Sequence, residues 1–191
     1  MGFAESRYDG WLDKYFVDKA DRGTIIELGC GWGDDTSFLS KTECRLISCD
    51  YSEEALRNVK ERYPAVTVNR FDLRDSFPFE NTMADIVVAS LCLHFFADSD
   101  MRCILAEVRR VIKPDGLFLC RLNSENGRMR GIVGETKLAP GLYMTKDGLK
   151  RFYTEAMIKN IFVGWEINCI REYETEKFSK NKYLFELEMK P

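Results

Sequence analysis

The stretch TIIELGCGWGDD, residues 24–35, sets three glycines within five positions directly behind a short apolar run. Glycine at that density weakens a helix or strand, because each one adds unfolded-state entropy and gives up packing surface. The segment therefore reads as a strand (TIIEL), a turn with deliberately bare backbone (GCGWG), and a helix starting near Asp34 and Asp35.

The same alternation runs outward from it. RLISC (45–49), VTVNR (66–70), ADIVVASL (84–91) and GLFLCRL (116–122) are short, apolar and rich in strand-forming residues. Ser52 ahead of EEALRNVKERY is an N-cap with Glu53 and Glu54 in the first turn. Ala55, Leu56, Val59 and Tyr63 share one face of that helix, and Pro64 stops it. SDMRCILAEVRRVIK repeats the design, with Asp98 or Ser99 as cap and a stripe of Ile104, Leu105, Val108, Val111 and Ile112. KPDG (113–116) reads as a turn into the next strand.

Strands of this kind alternating with helices imply a parallel α/β sheet covered on both faces. At the C-terminal end, VGWEINCIREYETEKF and KNKYLFELEMK read as an antiparallel pair closing one edge. Residues 123–148 show no regular pattern. Their mixture of Met129, Ile132, Val133, Leu142, Tyr143 and Met144 with polar residues suggests a lid that docks rather than a loose connection. No repeat or linker divides the chain, so 1–191 is expected to form a single domain.

Composition narrows the function. A net charge of −3 offers no electrostatic footprint for nucleic acid. No apolar run is long enough to span a bilayer, and the start MGFAESRYDGWLDKYF has no basic n-region followed by an apolar h-region. The expectation is a cytoplasmic protein with neither a membrane nor a nucleic-acid partner; no oligomeric state follows from the sequence. The seven cysteines are odd in number and form no CxxC pair, and His94 is the single histidine. A Cys/His metal site is therefore not expected.

In an open α/β sheet, ligands bind beyond the carboxyl ends of the strands, beside the first one. Dinucleotide binders place GxGxxG there, with pyrophosphate on the helix N-terminus. Here Gly29, Gly31 and Gly33 are spaced GxGxG, and Asp34 stands where the third glycine of that pattern belongs. An acidic pair repels pyrophosphate and tolerates a cation, which favours S-adenosylmethionine, with its sulfonium and ammonium, over NAD. Asp50 closes the second strand, placed to accept from ribose hydroxyls. Asp72 follows the third, placed to accept from an adenine amino group, with Leu73 offering backbone contact and Tyr51 a ring face. Glu27, a charge within an apolar strand, is costly unless it serves the ligand's amino group through the turn.

On these residues the chain resembles the class I S-adenosylmethionine-dependent methyltransferases. ELGCGWG looks like their first motif, CDYS the second, FDLRD the third and ADIVVASLCLHFF the fourth, followed by VRRVIKPDGLFLCRLNS. The resemblance implies a Rossmann-like, seven-stranded, mostly parallel sheet of order 3-2-1-4-5-7-6 with the last strand antiparallel. It also implies S-adenosylmethionine as cofactor, with Cys30, Ser52, Ser90 and Leu91 beside it. The YDGWL opening, LHFF, RLNS and the tail are similar to the tellurite-resistance-type small bacterial methyltransferases, which implies a small-molecule or inorganic oxyanion acceptor.

Among catalytic candidates, His94 lies just beyond the fourth strand, where it serves as a base or packs between Leu93 and Phe95. Asn123 orients the acceptor or caps a turn. Arg7, Tyr8 and Trp11 fold over the methionyl end, with Arg7 on its carboxylate, or Trp11 simply packs. Besides a small-molecule methyltransferase, the sequence admits a non-catalytic binder of S-adenosylmethionine or S-adenosylhomocysteine, and a protein or tRNA methyltransferase.

Overall fold

Alternation along the central strands sorts their side chains onto two opposite faces, and each face builds its own core. Ile26, Val87, Ala89, Phe118, Cys120 and Leu122 point one way, toward Met101, Ile104, Val108, Ile158 and Ile161. Ile25, Ile86, Val88 and Leu119 point the other way, toward Trp11, Leu12, Leu39, Leu56 and Val59. The computed structural model describes residues 7–16, 23–130, 136–176 and 182–191.

The main sheet holds β1 (Thr24–Leu28), β2 (Arg45–Asp50), β3 (Thr67–Arg70), β4 (Ala84–Ser90), β5 (Ile112–Asn123), β9 (Glu166–Thr175) and β10 (Lys182–Lys190). Its order is β3-β2-β1-β4-β5-β10-β9, the expected 3-2-1-4-5-7-6 arrangement. The first five strands are parallel, and β10 runs antiparallel to both β5 and β9. The switch from β2–β3 on one side of β1 to β4–β5 on the other opens a crevice at the carboxyl ends.

The connecting helices are α1 (Thr36–Leu39), α2 (Glu53–Arg62), α3 (Asp98–Val111) and α4 (Glu155–Ile161). Ser52 caps α2 as expected, its hydroxyl accepting from Ala55 N–H at 3.2 Å. α3 differs: Ala97 is its N-cap and no side chain caps it. Asp98 instead forms a 2.6 Å ion pair with Arg151. The expected 113–116 turn is a bulge inside β5, whose pairing with β4 jumps from Ala84–Ile112 to Ile86–Leu117.

The segment expected to be irregular is largely ordered. A 3-10 helix covers Glu125–Arg130, and β6 (Thr136–Ala139), β7 (Leu142–Thr145) and β8 (Gly148–Arg151) form a separate antiparallel sheet. Its turns rest on Gly141 and Gly148, both with positive φ, which glycine adopts without steric cost. Ile132 and Val133 of the expected lid lie outside the described residues.

Candidate active site

The glycine turn adopts a backbone that other residues resist. Gly29, Gly31 and Gly33 have φ of 65°, 51° and 82°. A Cβ on Gly29 would stand 2.3 Å from Cys92 Cβ, and one on Gly33 would press Val59 at 3.1 Å. At Gly31 a Cβ would meet nothing within 4 Å. Two of the glycines thus let β1 and the turn pack against β4 and α2, while Gly31 leaves room for a ligand.

That room is a cavity of about 300 Å³, lined along β1 and its turn by Glu27, Gly29, Cys30 and Gly31, and across β4 by Ser90 and Leu91. Arg7, Asp35 and Arg121 contribute to its walls as well. Leu91 has φ of 57°, a strained value for a branched residue, and such strain concentrates at functional sites.

Glu27 alternates onto the face of Ile25 and is 3% exposed. One carboxyl oxygen accepts from Thr36 Oγ1 at 2.7 Å and Ser48 Oγ at 2.6 Å. Burial, opposed by these hydrogen bonds, pushes its pKa up to about 7. A carboxyl balanced in this way changes protonation near neutrality, and a nearby cation favours its ionised form. Asp50 braces the turn from β2: Oδ2 accepts from Gly31 N–H and Oδ1 from Ser52 N–H, both at 2.8 Å. Each oxygen keeps a further lone pair able to accept another hydrogen bond.

The N-terminal segment crosses the carboxyl end of the sheet. Arg7 N–H donates to Asp34 Oδ1 at 3.1 Å, and Trp11 Nε1 donates to Asp35 Oδ1 at 3.0 Å. Farther along, Tyr15 OH donates to Glu186 Oε1 at 2.9 Å and Lys14 pairs with the same oxygen at 2.6 Å. Trp11 is thus both packed in the core and hydrogen-bonded at the cavity's edge.

Sequence reasoning missed the residue at the centre of this arrangement. Arg121, on β5, is 1% exposed. Its Nη1 donates to both oxygens of Asp9, at 2.9 and 2.7 Å, and its Nε to Ser90 Oγ at 2.9 Å. The guanidinium also lies 4.5 Å from the centre of the Trp11 ring. The signal was present in GLFLCRL, a charge inside an apolar strand, as with Glu27.

The remaining predicted residues stand apart from the cavity lining. Tyr51 is 66% exposed with Arg70 over its ring, and Leu73 packs against the core. The Asp72 carboxylate is taken up by Arg74, through its backbone N–H at 2.9 Å and its Nε at 3.0 Å. This pairing holds Asp72 below the usual carboxylate range. His94 is buried beside Phe95, its Nδ1 without a hydrogen-bond partner among the described residues. Burial, with Lys182 and Lys150 nearby, lowers its pKa to about 3. Asn123 is buried, and its carbonyl accepts from Tyr153 N–H at 2.8 Å. Ser124, beside it, receives the Asn126 N–H at 3.0 Å, the work of a turn cap.

Residues 25–116, which carry the glycine turn, Glu27 and Asp50, match the family model of a methyltransferase domain. An uncharacterized methyltransferase of Synechocystis is 31% identical over 94 residues, 49% of this chain and 44% of that protein. The human mitochondrial arginine-hydroxylase NDUFAF5 is 34% identical over 96 residues, 49% of this chain and 27% of that protein. The matched portion is less than half the length of each of these curated relatives. An S-adenosylmethionine-dependent methyltransferase from Methanosarcina mazei has the same fold, with a TM-score of 0.79 at 16% identity, covering 92% of this chain and 96% of that one. The chain thus carries a stretch similar to the methyltransferase-domain family model and shares the fold of that solved methyltransferase. Among the described residues, no helix is long and apolar enough to cross a membrane, and no cluster of metal-ligating side chains forms.

Proposed function

We propose that the protein transfers a methyl group from S-adenosylmethionine to a small acceptor bound at the carboxyl ends of β4 and β5. The observation that carries this reading is the Gly31 turn, clamped by Asp50 and opening into a cavity that reaches Ser90 and Arg121. When bound, S-adenosylmethionine supplies an activated methyl carbon, whose bond to sulfur breaks with its electron pair retained on sulfur.

The chain's own residues have two tasks. Glu27 and the turn carbonyls receive the methionyl ammonium, and Asp50 the ribose; Arg7 faces the methionyl carboxylate. The walls around Leu91 exclude water and fix the line of approach, where alignment is worth up to about 7–11 kcal/mol. His94, buried apart from the cavity lining and with its pKa lowered to about 3, is too weak a base to take a proton from the acceptor, so transfer relies on alignment at the carboxyl ends of β4 and β5, where Asn123 closes β5. A thiolate or an inorganic oxyanion, the acceptor of the tellurite-resistance-type reading, requires no such proton transfer.

Incubation with methyl-labelled S-adenosylmethionine and pools of small carboxylic acids, phenols, thiols and selenite tests this reading. Label moving into one pool, with stoichiometric S-adenosylhomocysteine, supports it; tight cofactor binding with no transfer to any pool contradicts it. One observation favours a second reading, a non-catalytic cofactor binder: Asp9 already occupies Arg121 beside the cavity.

A further inference from the structure

Arg121 ties Asp9, Ser90 and Trp11 to β5, yet burying a charge is a costly way to do so. A guanidinium withdrawn from water costs several kcal/mol unless well paired, and replacing buried ion pairs by apolar groups is often neutral or stabilising. Its pairing is also incomplete. Asp9 places both oxygens on a single nitrogen, Nη1, and Nε is used by Ser90. Tyr173 OH adds a 3.3 Å contact, again to Nη1. Asp35 Oδ1 stands 3.6 Å from Nη2, beyond hydrogen-bonding distance. Among the described residues, the planar fork formed by Nη1 and Nη2, the feature of arginine that matches a carboxylate, is therefore half used.

Location indicates whose carboxylate it suits. Arg121 pairs in register with Ser90 and alternates onto the face of Leu119, the one covered by Trp11. β5 is two strands from β1, about 10 Å at ordinary strand spacing. The methionyl end of the cofactor belongs over β1 and its turn, so the β5 side of the cavity faces the acceptor. Asp9, whose side chain is 19% exposed, lies on the segment that crosses the cavity, where an arriving anion can compete for its partner.

Resting on the methyltransferase reading above, we infer that Arg121 anchors the methyl acceptor: the acceptor carries a carboxylate that displaces Asp9 and engages Nη1 and Nη2 together. Methylation then occurs at another atom, since a carboxylate held on a guanidinium is a poor nucleophile. Asp9 keeps the guanidinium paired while the site is empty, and its release couples acceptor binding to movement of the N-terminal segment.

The test is calorimetric titration of succinate and benzoate into full-length protein already saturated with S-adenosylhomocysteine. Wild type should bind at least one probe saturably, Arg121→Lys should lose it, and Asp9→Asn should bind it about tenfold or more tighter, 1.4 kcal/mol. Saturable binding lost in Arg121→Lys supports the anchor even where Asp9→Asn does not fold. Absence of binding by both probes to wild type overturns the inference. Probe binding abolished by S-adenosylhomocysteine also overturns it, because Arg121 then serves the cofactor's own carboxylate. Failure of wild type to bind S-adenosylhomocysteine refutes the methyltransferase reading instead, and the probes titrated into ligand-free protein still report on Arg121.

Discussion

Glu27 on β1 accepts a 2.7 Å hydrogen bond from the hydroxyl of Thr36, the first residue of the helix that the glycine turn feeds. With Ser48 it forms a buried polar knot beneath the turn, joining β1, β2 and α1. The carboxyl titrates near pH 7 because burial raises its pKa. A bound ammonium lowers it again, so cofactor binding expels a proton whenever Glu27 begins protonated. Affinity for S-adenosylmethionine is therefore expected to rise with pH up to about 7 and then level. Binding enthalpies measured near pH 6 in buffers of different ionisation heat should show proton release, and Glu27→Gln should abolish both effects.

Gly29→Ala and Gly31→Ala separate folding from binding. At Gly29 the added methyl meets Cys92 Cβ at 2.3 Å and φ is positive, so a loss of about 2–4 kcal/mol in unfolding free energy is expected. At Gly31 only the positive φ opposes the change, costing about 1–2 kcal/mol. The folded Gly31→Ala protein should nonetheless lose cofactor affinity, because its Cβ projects into the cavity. Urea unfolding combined with calorimetry checks the contrast; equal damage to stability by both substitutions would argue against it.

His94 should leave its mark on acid stability. Its folded pKa, near 3, lies below the ordinary histidine value of about 6.5. Above that value both folded and unfolded histidine are neutral and no stability is lost. As pH falls from about 6.5 toward 3, the unfolded chain takes up a proton that the fold refuses, at a cost on the order of a few kcal/mol. Urea midpoints followed against pH should be less acid-sensitive in His94→Phe than in wild type. Parallel curves would show that the imidazole is hydrated and ordinary.

Glu186 fixes the N-terminal segment to the sheet. Its carboxylate, fully buried on β10, receives Tyr15 OH, Lys14 and Arg171. These partners hold it below the usual glutamate range although burial acts in the opposite sense. Glu186→Ala is expected to cost about 2 kcal/mol and Glu186→Gln less. Differential scanning calorimetry gives both values, and an unchanged melting temperature in Glu186→Ala would remove the anchoring role.

The sheet was legible because each of its central strands is a contiguous apolar run, and because turn chemistry separates the runs. Ser52 and the three glycines were legible for the same reason: each performs a local backbone task. Arg121 escaped because its partner Asp9 lies 112 residues away, and no local period encodes that distance. The small sheet of β6–β8 escaped because four-residue strands are too short to show alternation. Its only sequence signals are the glycines at 141 and 148. Asp72 illustrates a different limit. Its position after β3 suggested a ligand role, yet DLR also supplies a near-neighbour cation, and Arg74 takes the carboxylate.

The central claim is that the clamped glycine turn is a cofactor site, and calorimetry of S-adenosylmethionine binding to wild type and Asp50→Ala tests it most directly. Asp50 holds Gly31 N–H and, in the proposed site, offers oxygens to the ribose, so its loss should weaken binding about tenfold or more, at least 1.4 kcal/mol. The account predicts saturable wild-type binding with that loss. Absence of binding by folded wild type, or equal affinity in Asp50→Ala, would contradict it.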